Sequence, residues 1–449
     1  MIQLTDSIKN NEKFQAAKKI VNKLKKNNHS AFIVGGAVRD LCLGESPEEF
    51  DISTCATPDE IQKIFKHTKP VGQSFGVMLV IVDNCSLEVA TFRKDMKYVD
   101  GRHPEEITYT KNQREDIRRR DFTINGLMLD PDTGEIFDYC QGMKDIKNKK
   151  IRTIGIPEER FSEDYLRILR AIRFSNKLNF KIEDKTKKAL HKVASNILRV
   201  STERIRDEIA KIITGKNPGQ GITTLSEFGL FKHLIPEIES LKNVEQPPEF
   251  HPEGDVFFHT CLVLDMLEDP KRTNLEVAYG ALFHDIGKPS TYTKTDRIRF
   301  NRHEYVGARL TKEICNRLKF SKKRTTNITS LVKEHMKFGN VDKMKKSTFK
   351  KFISIENFED HLALHKADCL GSHGDLSLYK YTLQKMDELK NEPIKPKPLI
   401  TGDDLISLGL NPGPKFKNIL SEIFDEQLEG NINSKEKGIK LAKTILSRK

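Results

Sequence analysis

Glu49 and Asp51 are two carboxylates separated by a single residue, a spacing that suits a shared chemical task. In a β-strand, residues i and i+2 point to the same face, so the pair would project together while Phe50 and Ile52 face the other way. Two clustered negative charges repel each other unless a cation lies between them, and a divalent metal is the usual cation. The spacing therefore predicts a metal site carried by a strand.

A third carboxylate, Glu88, can join this pair from a neighbouring strand. It lies in the stretch SLEVATFR, where the apolar Leu87 and Val89 would point to the opposite face. Three carboxylates on adjacent strands suit a two-metal phosphoryl transfer, in which one metal lowers the pKa of the attacking hydroxyl and the other stabilises the leaving pyrophosphate. We predict that Glu49, Asp51 and Glu88 are catalytic and that Glu49 and Asp51 bind Mg²⁺.

The glycine pair Gly35 and Gly36 precedes these carboxylates and suits the binding of an anion. Glycines let the backbone approach a phosphate closely, and a helix starting near Ala37 would aim its first amides at that phosphate. Arg39 could add a fork of donors for the same triphosphate. The order of these groups along the chain points to nucleotidyl transfer.

The elements that must position these residues are strands in the first part of the chain and helices in the rest. Thr57 is a predicted helix N-cap, with Pro58 in the first turn and Glu60 completing a capping box. The pattern from 162 to 215 is helical almost throughout. The predicted strands are 31–34, 50–54, 76–83, 86–93, 135–139 and 151–154.

Length and composition indicate a soluble protein with several domains. A chain of 449 residues is too long for one core, and 31% of its residues are charged. Two proline-rich stretches, EQPPEFHP and NEPIKPKPL, interrupt the later helical pattern. We predict a catalytic head at 1–150, a helical neck at 151–245, a histidine-rich helical domain at 246–390 and a helical tail at 391–449.

Charge and cysteine content bear on partners and compartment. The net charge of +13 favours a polyanionic partner, nucleic acid first. Seven scattered cysteines without a Cys-x-x-Cys pair indicate reduced thiols. The apolar run Val77–Val82 is too short to span a membrane, and MIQLTDSIKNNEKF lacks the apolar core of a signal peptide. We expect a cytoplasmic protein that does not associate with a membrane, and we predict no protein partner.

Four stretches carry a resemblance to a known family: GGAVRDLCLG…EEFDIST, RRRDFTINGLML, DYCQGMKDI and EDYLRILRAIRF. They resemble the successive motifs of class II tRNA nucleotidyltransferases, the CCA-adding enzyme and bacterial poly(A) polymerase family. Similarity to members with an HD domain continues through PPEFHPEGDVFFHT, HDIGKP and LITGDDLISLGLNPGPKF. The resemblance implies an α+β fold, in which a DNA polymerase beta-like head with a mixed sheet and helices precedes an all-α neck, an HD-type helical domain and a short tail.

The resemblance also implies an activity, the template-independent addition of C, C and A from CTP and ATP to the 3′ end of tRNA. The matching motif binds triphosphate and ribose, and here it consists of Arg119, Arg120, Asp121 and Asn125. The loop 94–118, with Asp100-Gly101-Arg102, corresponds to the flexible element associated with the switch from C to A addition.

The stretch EDYLRILRAIRF predicts a base-reading surface in the neck. Projected on a helix, Glu163, Asp164, Arg167 and Arg170 fall on one arc, and Glu163 and Arg167 form an i,i+4 pair. Asp164 and Arg167 would present an acceptor and a fork of donors, which suits the Watson–Crick edge of a base. The resemblance implies that these residues select CTP and ATP. The alternative is an exposed helix with ordinary ion pairs.

One departure from the family's pattern concerns Glu49, because the family typically has aspartate there. The extra methylene shifts the carboxylate by roughly an ångström, a displacement large enough to affect catalysis. We predict that Glu49 is still a metal ligand; the alternative is that Asp51 and Glu88 carry the metal with Glu49 secondary.

Histidines and aspartates in the 246–390 region have the order of an HD metal site. Neutral imidazoles with carboxylates suit a divalent transition metal, and a metal with open positions could activate water for phosphoester hydrolysis. The alternative is a scaffold of packed histidines. The predicted ligands are His259, His284, Asp285 and Asp368, with His303 and His335 as further candidates.

Several alternatives of function stay open at this point. The same motifs serve a poly(A) polymerase and enzymes that add only A or only CC. A hypothesis from a different functional class is an RNA-binding or nucleotide-sensing protein. In that protein Glu49 would impair catalysis by the head, and the HD site would be an active phosphohydrolase.

Overall fold

The protein is represented by a computed structural model, which describes residues 2, 4–72, 76–95, 107–249, 251–267 and 274–447. The chain divides into two compact units, Met1–Pro236 and Glu237–Lys449. The first unit combines a sheet with helices, and the second is mainly helical. The predicted α+β class is confirmed, while the division into four domains stays a prediction.

Seven strands of the described part of the first unit form one mixed sheet in the order β3-β4-β5-β2-β1-β8-β9. β2 and β5 run parallel, and the other neighbouring pairs are antiparallel. β6 pairs with β7, and β10 pairs with β11. The strands are β1 (Ala31–Val34), β2 (Asp51–Thr54), β3 (Thr68–Gly72), β4 (Val77–Val82), β5 (Cys85–Thr91), β6 (Arg93–Asp95), β7 (Ile107–Tyr109), β8 (Leu127–Leu129), β9 (Ile136–Asp138), β10 (Lys150–Ile151) and β11 (Lys181–Ile182).

Helices flank this sheet and then continue the chain. Short 3-10 helices occupy Thr123–Asn125 and Ala194–Arg199. The α-helices in chain order are α1 (Asp6–Lys9), α2 (Glu12–Lys26), α3 (Gly36–Cys42), α4 (Pro58–Ile64), α5 (Gln113–Arg118), α6 (Gly142–Lys147), α7 (Pro157–Glu163), α8 (Leu166–Leu178), α9 (Asp184–Val193), α10 (Thr202–Ile213), α11 (Pro218–Glu227), α12 (Phe231–Leu234) and α13 (Pro236–Glu239).

The packing of α2 against the sheet fixes the stretch that carries the paired carboxylates. α2 buries an apolar face that includes Phe14, whose ring meets Phe50 edge-on with the centroids 5.7 Å apart. Phe50 is buried, so the residues on either side of it are directed outward. The capping box predicted at Thr57 is confirmed, because its side chain and Glu60 cap each other's backbone N–H groups.

The strand predictions are confirmed in part. The segments predicted at 31–34, 50–54, 76–83, 86–93 and 135–139 overlap β1, β2, β4, β5 and β9, whereas the strand predicted at 151–154 shares only Ile151 with the short β10. Four strands of the head, β3, β6, β7 and β8, were not predicted. The stretch 94–118 is not one loop, because it contains the end of β6, all of β7 and α5; residues 96–106, with Asp100-Gly101-Arg102, lie outside the described residues.

The second unit contains the histidine-rich helices and the tail. A β-hairpin of β12 (Tyr292–Lys294) and β13 (Ile298–Phe300) interrupts the helices, and His335–Lys343 is mostly a 3-10 helix. The helices are α14 (Val256–Asp265), α15 (Leu275–Phe283), α16 (Lys288–Thr291), α17 (His303–Arg317), α18 (Lys322–Glu334), α19 (Lys346–Ile353), α20 (Phe358–Leu370), α21 (Ser377–Glu388), α22 (Gly402–Ser407), α23 (Pro414–Glu429) and α24 (Lys435–Ser447).

The tail helices have a hydrophobic cluster of their own, which includes Leu405, Ile423 and Ala442. A separate cluster around Phe338 and Phe349 lies among the preceding helices. Across the described segments, no helix is both long enough and apolar enough to cross a bilayer.

Candidate functional site

Two carboxylates lie next to each other on neighbouring strands of the head sheet. β2 and β5 run parallel, and Ile52 pairs with Val89. Asp51 and Glu88 each come one residue before that pair, so they occupy adjacent positions across the two strands. Both carboxylates are exposed, whereas Ile52 and Val89 are buried. The predicted alternation is confirmed, and the two carboxylates point away from the core.

Glu49 lies outside the strand that carries Asp51. β2 begins at Asp51, whose partner Val34 is the last residue of β1. The chain turns at Gly35, which has a φ of 73°, so β1 offers no partner to the residues before Asp51. The expectation that Glu49 and Asp51 project together from one strand is wrong for this reason. Its exposed side chain lies beside the other two carboxylates without sharing their backbone geometry.

The three negative charges are close enough to influence one another. Desolvation by the surrounding protein raises the pKa of Asp51, and the charges of Glu88 and Glu49 raise it further, while Arg120 lowers it. A cation bound at the carboxylates would reverse this rise, because an opposite charge favours the ionised form. Oxygen ligands of this kind are those that Mg²⁺ prefers, so the residues present fit that metal.

The glycine turn brings the backbone close to a guanidinium. Gly35 has a positive φ, which glycine adopts without strain, and α3 begins at Gly36 as predicted. A side chain on Gly35 would place its Cβ 3.4 Å from Nη1 of Arg120. Nη2 of Arg120 donates to Oγ of Ser53 at 2.9 Å, so this predicted nucleotide-binding arginine lies between the turn and β2.

Asp116 fixes two of the predicted arginines and was not predicted itself. It is fully buried, and Arg119 donates to its Oδ1 at 2.7 Å while Arg120 donates to its Oδ2 at 3.0 Å. Burial raises the pKa of Asp116, but the two guanidiniums outweigh burial and hold the pKa below its ordinary value. The sequence signal is the spacing of Asp116 from its partners, i+3 and i+4 at the end of a helix.

Arg39 is buried, and each of its three side-chain nitrogens contacts Asp40 or Asn125. Its side chain donates to Oδ1 of Asp40 at 2.8 Å and to Oδ1 of Asn125 at 2.7 Å, and its guanidinium lies 5.2 Å from the ring centroid of Phe174. In this structure the guanidinium holds Asn125 in place, and the role of Arg39 in binding the triphosphate stays a prediction. Arg39 therefore acts on the site indirectly, by fixing the side chain of Asn125.

Asp121 joins the head motif to α8. Its Oδ1 accepts from Nδ2 of Asn125 at 3.1 Å, and its Oδ2 accepts from Nε of Arg170 at 2.8 Å. Burial raises the pKa of Asp121, but the charge of Arg170 and the hydrogen bonds lower it to about 2. Asp121, Asn125 and Arg170, all predicted to bind nucleotide, thus form one continuous hydrogen-bonded network.

The stretch EDYLRILRAIRF is not one helix. α7 ends at Glu163, Asp164 is extended, and α8 begins at Leu166. The side chain of Asp164 accepts from the backbone N–H of Leu166 at 3.1 Å and from both terminal nitrogens of Arg204, at 3.2 and 2.7 Å. These contacts compete with helix continuation, so the single arc predicted for this stretch is wrong. Arg204 was not predicted.

The predicted Glu163–Arg167 contact forms across the break between the helices. Nη1 of Arg167 donates to Oε2 of Glu163 at 2.6 Å and to the carbonyl of Arg160 at 2.8 Å, and Nη2 donates to the carbonyl of Arg119 at 2.9 Å. Arg167 is only 7% exposed. These contacts use three of its five N–H donors and hold the guanidinium in one orientation.

The second unit brings the predicted histidines and aspartates into one buried cluster. His259 lies in α14, His284 and Asp285 follow α15, and Asp368 lies in α20. Nε2 of His259 lies 3.1 Å from Oδ1 of Asp368 and 3.2 Å from Nε2 of His284. Nε2 of His284 lies 3.2 Å from Oδ2 of Asp285. The four predicted ligands therefore converge.

His303 and His335 approach the other oxygen of Asp285. Nε2 of His303 lies 3.3 Å from Oδ1 of Asp285, and Nε2 of His335 lies 3.9 Å from it. His259, His284 and Asp368 form one group with metal-ligand spacing, and Asp285, His303 and His335 form another. Asp285 lies between the two groups and faces both.

Hydrogen bonds donated by Nδ1–H to backbone carbonyls direct the Nε2 atoms of three histidines toward a metal. The Nδ1 atoms of His284, His303 and His335 lie 2.8, 2.9 and 2.7 Å from backbone carbonyls three residues earlier. A proton on Nδ1 turns the lone pair of Nε2 toward the centre of the cluster. Burial lowers the pKa of His335 to about 3, so this imidazole is neutral, as a ligand must be.

His259 is the exception, because its pKa is raised and a metal would have to displace a proton from its ring. Burial lowers the pKa of His259, but hydrogen bonds with Asp368 and Glu253 outweigh burial and raise the pKa to about 9. The proton on this ring supplies a positive charge that a metal ion would otherwise supply between converging acceptors. The mixed nitrogen and oxygen donors suit a transition metal.

Four members of the cluster line a cavity of about 1800 Å³ within the second unit: Asp285, His303, His335 and Asp368. Lys288 is buried at its wall, with Nζ 2.7 Å from Oδ2 of Asp285. The basic side chains Arg297, Arg302 and Lys343 also line the cavity. A large cavity with basic groups beside a candidate metal centre suits an anionic substrate.

Three known families match this chain in sequence order. Residues 31–152 match the family described as poly A polymerase head domain, and residues 179–242 match the probable RNA and SrmB-binding site of polymerase A. Residues 256–389 match the HD domain. The first match contains the carboxylates of the head, and the third contains the histidine cluster.

Curated relatives match the chain over about half of its length. The CCA-adding enzyme of Staphylococcus epidermidis is 37% identical over 264 residues, which cover 59% of this chain and 64% of the relative. The CCA-adding enzyme of Staphylococcus aureus strain MRSA252 is 40% identical over 238 residues, covering 52% of this chain and 59% of the relative. The chain thus spans less than two thirds of the length of these relatives.

Solved structures share the fold over nearly the whole chain. The Bacillus stearothermophilus CCA-adding enzyme in complex with CTP matches with a TM-score of 0.76 and 24% identity, covering 98% of this chain and 99% of that chain. The Thermotoga maritima CCA-adding enzyme complexed with tRNA matches with a TM-score of 0.58 and 20% identity, covering 96% and 95%. At these identities the likeness concerns the fold.

Proposed function

We propose that this chain is a class II tRNA nucleotidyltransferase with an HD domain and that it adds C, C and A, from CTP and ATP, to the 3′ end of tRNA. Addition would need no nucleic-acid template, because side chains of the protein would select the nucleotide. The similar protein of known structure with CTP bound supports the choice of substrate.

The adjacency of Asp51 and Glu88 carries this proposal. Two carboxylates in equivalent positions on parallel strands, with Glu49 beside them, would hold Mg²⁺. A cation bound there would lower the pKa of an attacking hydroxyl and would stabilise the leaving pyrophosphate. Asp51 and Glu88 orient this charge rigidly because their strands are paired, whereas Glu49 precedes the strand and has a secondary part.

The head residues would bind the rest of the nucleotide. Arg120 lies against the Gly35 turn, so a triphosphate placed at that turn would meet its guanidinium. Asp121 and Asn125 are held by Arg170 and Arg39, and this network would present them to the ribose in a fixed orientation. Fixed donors and acceptors cost little reorganisation when the substrate binds.

Asp164 and Arg167 would read the base. Arg167 is fixed by Glu163 and by two backbone carbonyls, and two of its N–H donors are unused by the contacts between described residues. Asp164 is fixed by Arg204. A rigid donor group beside a rigid acceptor can distinguish C and A from U and G, because those bases present different edges.

The partner expected for this site is the 3′ end of tRNA. A net charge of +13 favours contacts with phosphates, and residues 179–242 match a family described by RNA binding. The seven cysteines are all free, which fits the reducing conditions of the cytoplasm, where we place this reaction.

Nucleotide incorporation into tRNA that lacks its 3′ end tests the proposal. The wild-type protein is incubated with Mg²⁺ and each nucleoside triphosphate separately, then with CTP and ATP together. We expect C addition from CTP alone and complete CCA only from the mixture. The same test separates the alternatives, because a poly(A) polymerase extends with ATP alone and a partial enzyme adds only A or only CC.

A second candidate function belongs to the histidine cluster of the second unit. Six side chains from α14, α15, α17, α18 and α20 or their ends converge on two groups with metal-ligand spacing. We propose that His259, His284, Asp285 and Asp368, with His303 and His335, hold a divalent transition metal. Such a metal activates water for hydrolysis of a phosphoester. Release of phosphate from a phosphomonoester, and opening of a 2′,3′-cyclic nucleotide, would test this activity.

These two functions do not depend on each other in the proposal. A phosphohydrolase with an impaired head would release phosphate and add no nucleotide to tRNA. A transferase with packed histidines would add nucleotides and bind no transition metal. Measuring both activities on one preparation distinguishes these outcomes.

A further inference from the structure

We propose that Glu253 is a positioning residue for the metal centre of the second unit. Its carboxylate holds His259 in the tautomer that offers Nε2 to a metal, and its charge makes that imidazole a stronger ligand. The inference rests on the metal centre proposed above. Neither the family matches nor the order of the ligands along the chain assigns a role to Glu253.

Glu253 contacts His259 on the side opposite to the metal cluster. Its Oε1 lies 2.7 Å from Nδ1 of His259, while Nε2 of the same ring lies 3.1 Å from Oδ1 of Asp368. The Glu253 side chain is 7% exposed. A carboxylate at Nδ1 requires the proton on that atom, so the lone pair of Nε2 faces Asp368 and His284.

The carboxylate is shared with a second imidazole. Nδ1 of His251 lies 2.9 Å from the same Oε1, and the rings of His251 and His259 meet edge-on with centroids 4.8 Å apart. Oε2 of Glu253 is buried and has no hydrogen-bond partner among the described residues, and Nδ1 of His259, although 2.7 Å from Oε1, makes no well-aligned hydrogen bond there. A buried carboxylate with one unsatisfied oxygen is costly in a purely structural role, because a buried charge needs compensation.

His259 differs from the other histidines of the cluster in its Nδ1 partner. His284, His303 and His335 each place Nδ1 near a backbone carbonyl of their own segment. A carbonyl fixes the tautomer, whereas a carboxylate also donates negative charge to the ring and raises its basicity. Glu253 therefore strengthens the ligand group of His259, His284 and Asp368 selectively.

A tight turn places Glu253 over the first turns of α14. Gly254 has a φ of 127°, a conformation that side chains disfavour, and it leads directly to Asp255, the N-cap of α14. Oδ2 of Asp255 accepts from the backbone N–H of Asn243 at 2.7 Å, which anchors the turn. The turn reverses the chain, so that Glu253 faces His259 four residues beyond the cap.

The effect of Glu253 is measured by metal affinity, with Co²⁺ as the probe and its visible absorption as the readout. Loss of a carboxylate behind a ligating histidine typically weakens metal binding about 10- to 100-fold. We expect Glu253→Gln, which keeps the shape and removes the charge, to weaken Co²⁺ binding by about tenfold or more on that basis. Circular dichroism and thermal unfolding establish that each variant is folded.

Two controls separate positioning from a general effect of charge or folding. Glu249→Gln removes the same charge from an exposed side chain that lines the same cavity, and it should leave Co²⁺ affinity within about twofold of the wild type, as for surface changes in general. In a His259→Ala background, Glu253→Gln should add nothing, because two residues that act through one interaction have non-additive effects.

The outcomes distinguish this inference from the metal centre on which it rests. Failure of the wild-type protein to bind Co²⁺ would contradict the metal centre itself. Wild-type binding with an unchanged affinity in folded Glu253→Gln would overturn the role of Glu253 alone. An additive loss in the His259→Ala background would also overturn it, since the effect would then act through some other residue.

Discussion

Asp51 and Glu88 stand in equivalent positions on two parallel strands, each one residue before the paired Ile52 and Val89. The pairing of β2 with β5 sets the distance between the two carboxylates, so neither depends on a flexible segment for its position. Strands of this kind are more rigid than loops, and sites built on them are held more accurately. On this ground we propose that Asp51 and Glu88 are the principal metal ligands of the head, with Glu49 in support.

Substitution of Asp51 should abolish nucleotide addition while the fold and tRNA binding remain. We expect Asp51→Asn to lower the rate by at least about a thousandfold, because a missing metal ligand removes several kcal/mol of transition-state stabilisation. Asp59→Asn, in an exposed residue of α4, is the matched control and should keep the rate. Activity of Asp51→Asn within a few-fold of the wild type would refute the site.

The rate of nucleotide addition should depend less on Glu49 than on Asp51. Glu49 precedes β2, so its longer side chain can reach the metal from a segment that strand pairing does not fix. We expect Glu49→Asp to be neutral or faster and Glu49→Gln to be slower than wild type, but less impaired than Asp51→Asn. Equal losses in Glu49→Gln and Asp51→Asn would mean that both carboxylates are equivalent ligands. The measurement is the rate of C addition at saturating Mg²⁺.

Arg167 should control which nucleotide is accepted. We expect Arg167→Ala to lose about 1–3 kcal/mol of discrimination between the correct and the wrong bases, the usual value of a bidentate contact. Lys177→Ala, at an exposed position near the end of α8, controls for the loss of a cation. The comparison is kcat/KM for CTP and ATP against UTP and GTP. An unchanged preference in folded Arg167→Ala would contradict base reading by the protein.

The stability of the head should depend on the ionisation of Asp121. Its pKa is lowered from 3.8 to about 2, so the ionised form contributes about 2 kcal/mol when folded. Because the folded pKa is the lower one, this contribution is complete above pH about 4 and is lost as the pH falls toward 2. In Asp121→Asn this part of the pH dependence should disappear. Hydrogen exchange of head amides between pH 2 and 5 would measure it, and an identical pH dependence in both proteins would exclude the effect.

The metal centre of the second unit should be separable from nucleotide addition. We expect the combined change His284→Ala and Asp285→Ala to remove bound transition metal and phosphoester hydrolysis, because both groups of ligands lose a member. Addition to tRNA should survive, since the head has carboxylates of its own. Elemental analysis and the two activity assays test this. Unchanged metal content would leave the pair as a structural element.

Sequence patterns correctly predicted those structural features that depend on residues close together in the chain. The capping box at Thr57 depends on residues within three positions, and the alternation around Asp51 depends on a period of two; both are confirmed. β3 was missed because it contains Pro70, and proline lowers the expectation of a strand. β3 tolerates Pro70 because it is the edge strand of the sheet.

The unpredicted parts of the site depend on residues that are distant in sequence. The break at Asp164 cannot be read from helical periodicity, because Arg204, forty positions later, holds that carboxylate. The hydrogen bond from Arg39 to Asn125 was missed for the same reason, because it joins segments that are distant in sequence and meet only in the fold. The roles of the individual site residues in catalysis stay predictions, and the substitutions above test them one at a time.

Nucleotide addition to tRNA is tested most directly by the 3′-terminal sequence of the tRNA after reaction. tRNA lacking its last three nucleotides is incubated with the wild-type protein, Mg²⁺ and all four nucleoside triphosphates at equal concentration, and the products are sequenced. We expect products that end in CCA and grow no further, with no extension by Asp51→Asn. Unextended tRNA, a tail of A alone or products that stop at CC would contradict this expectation.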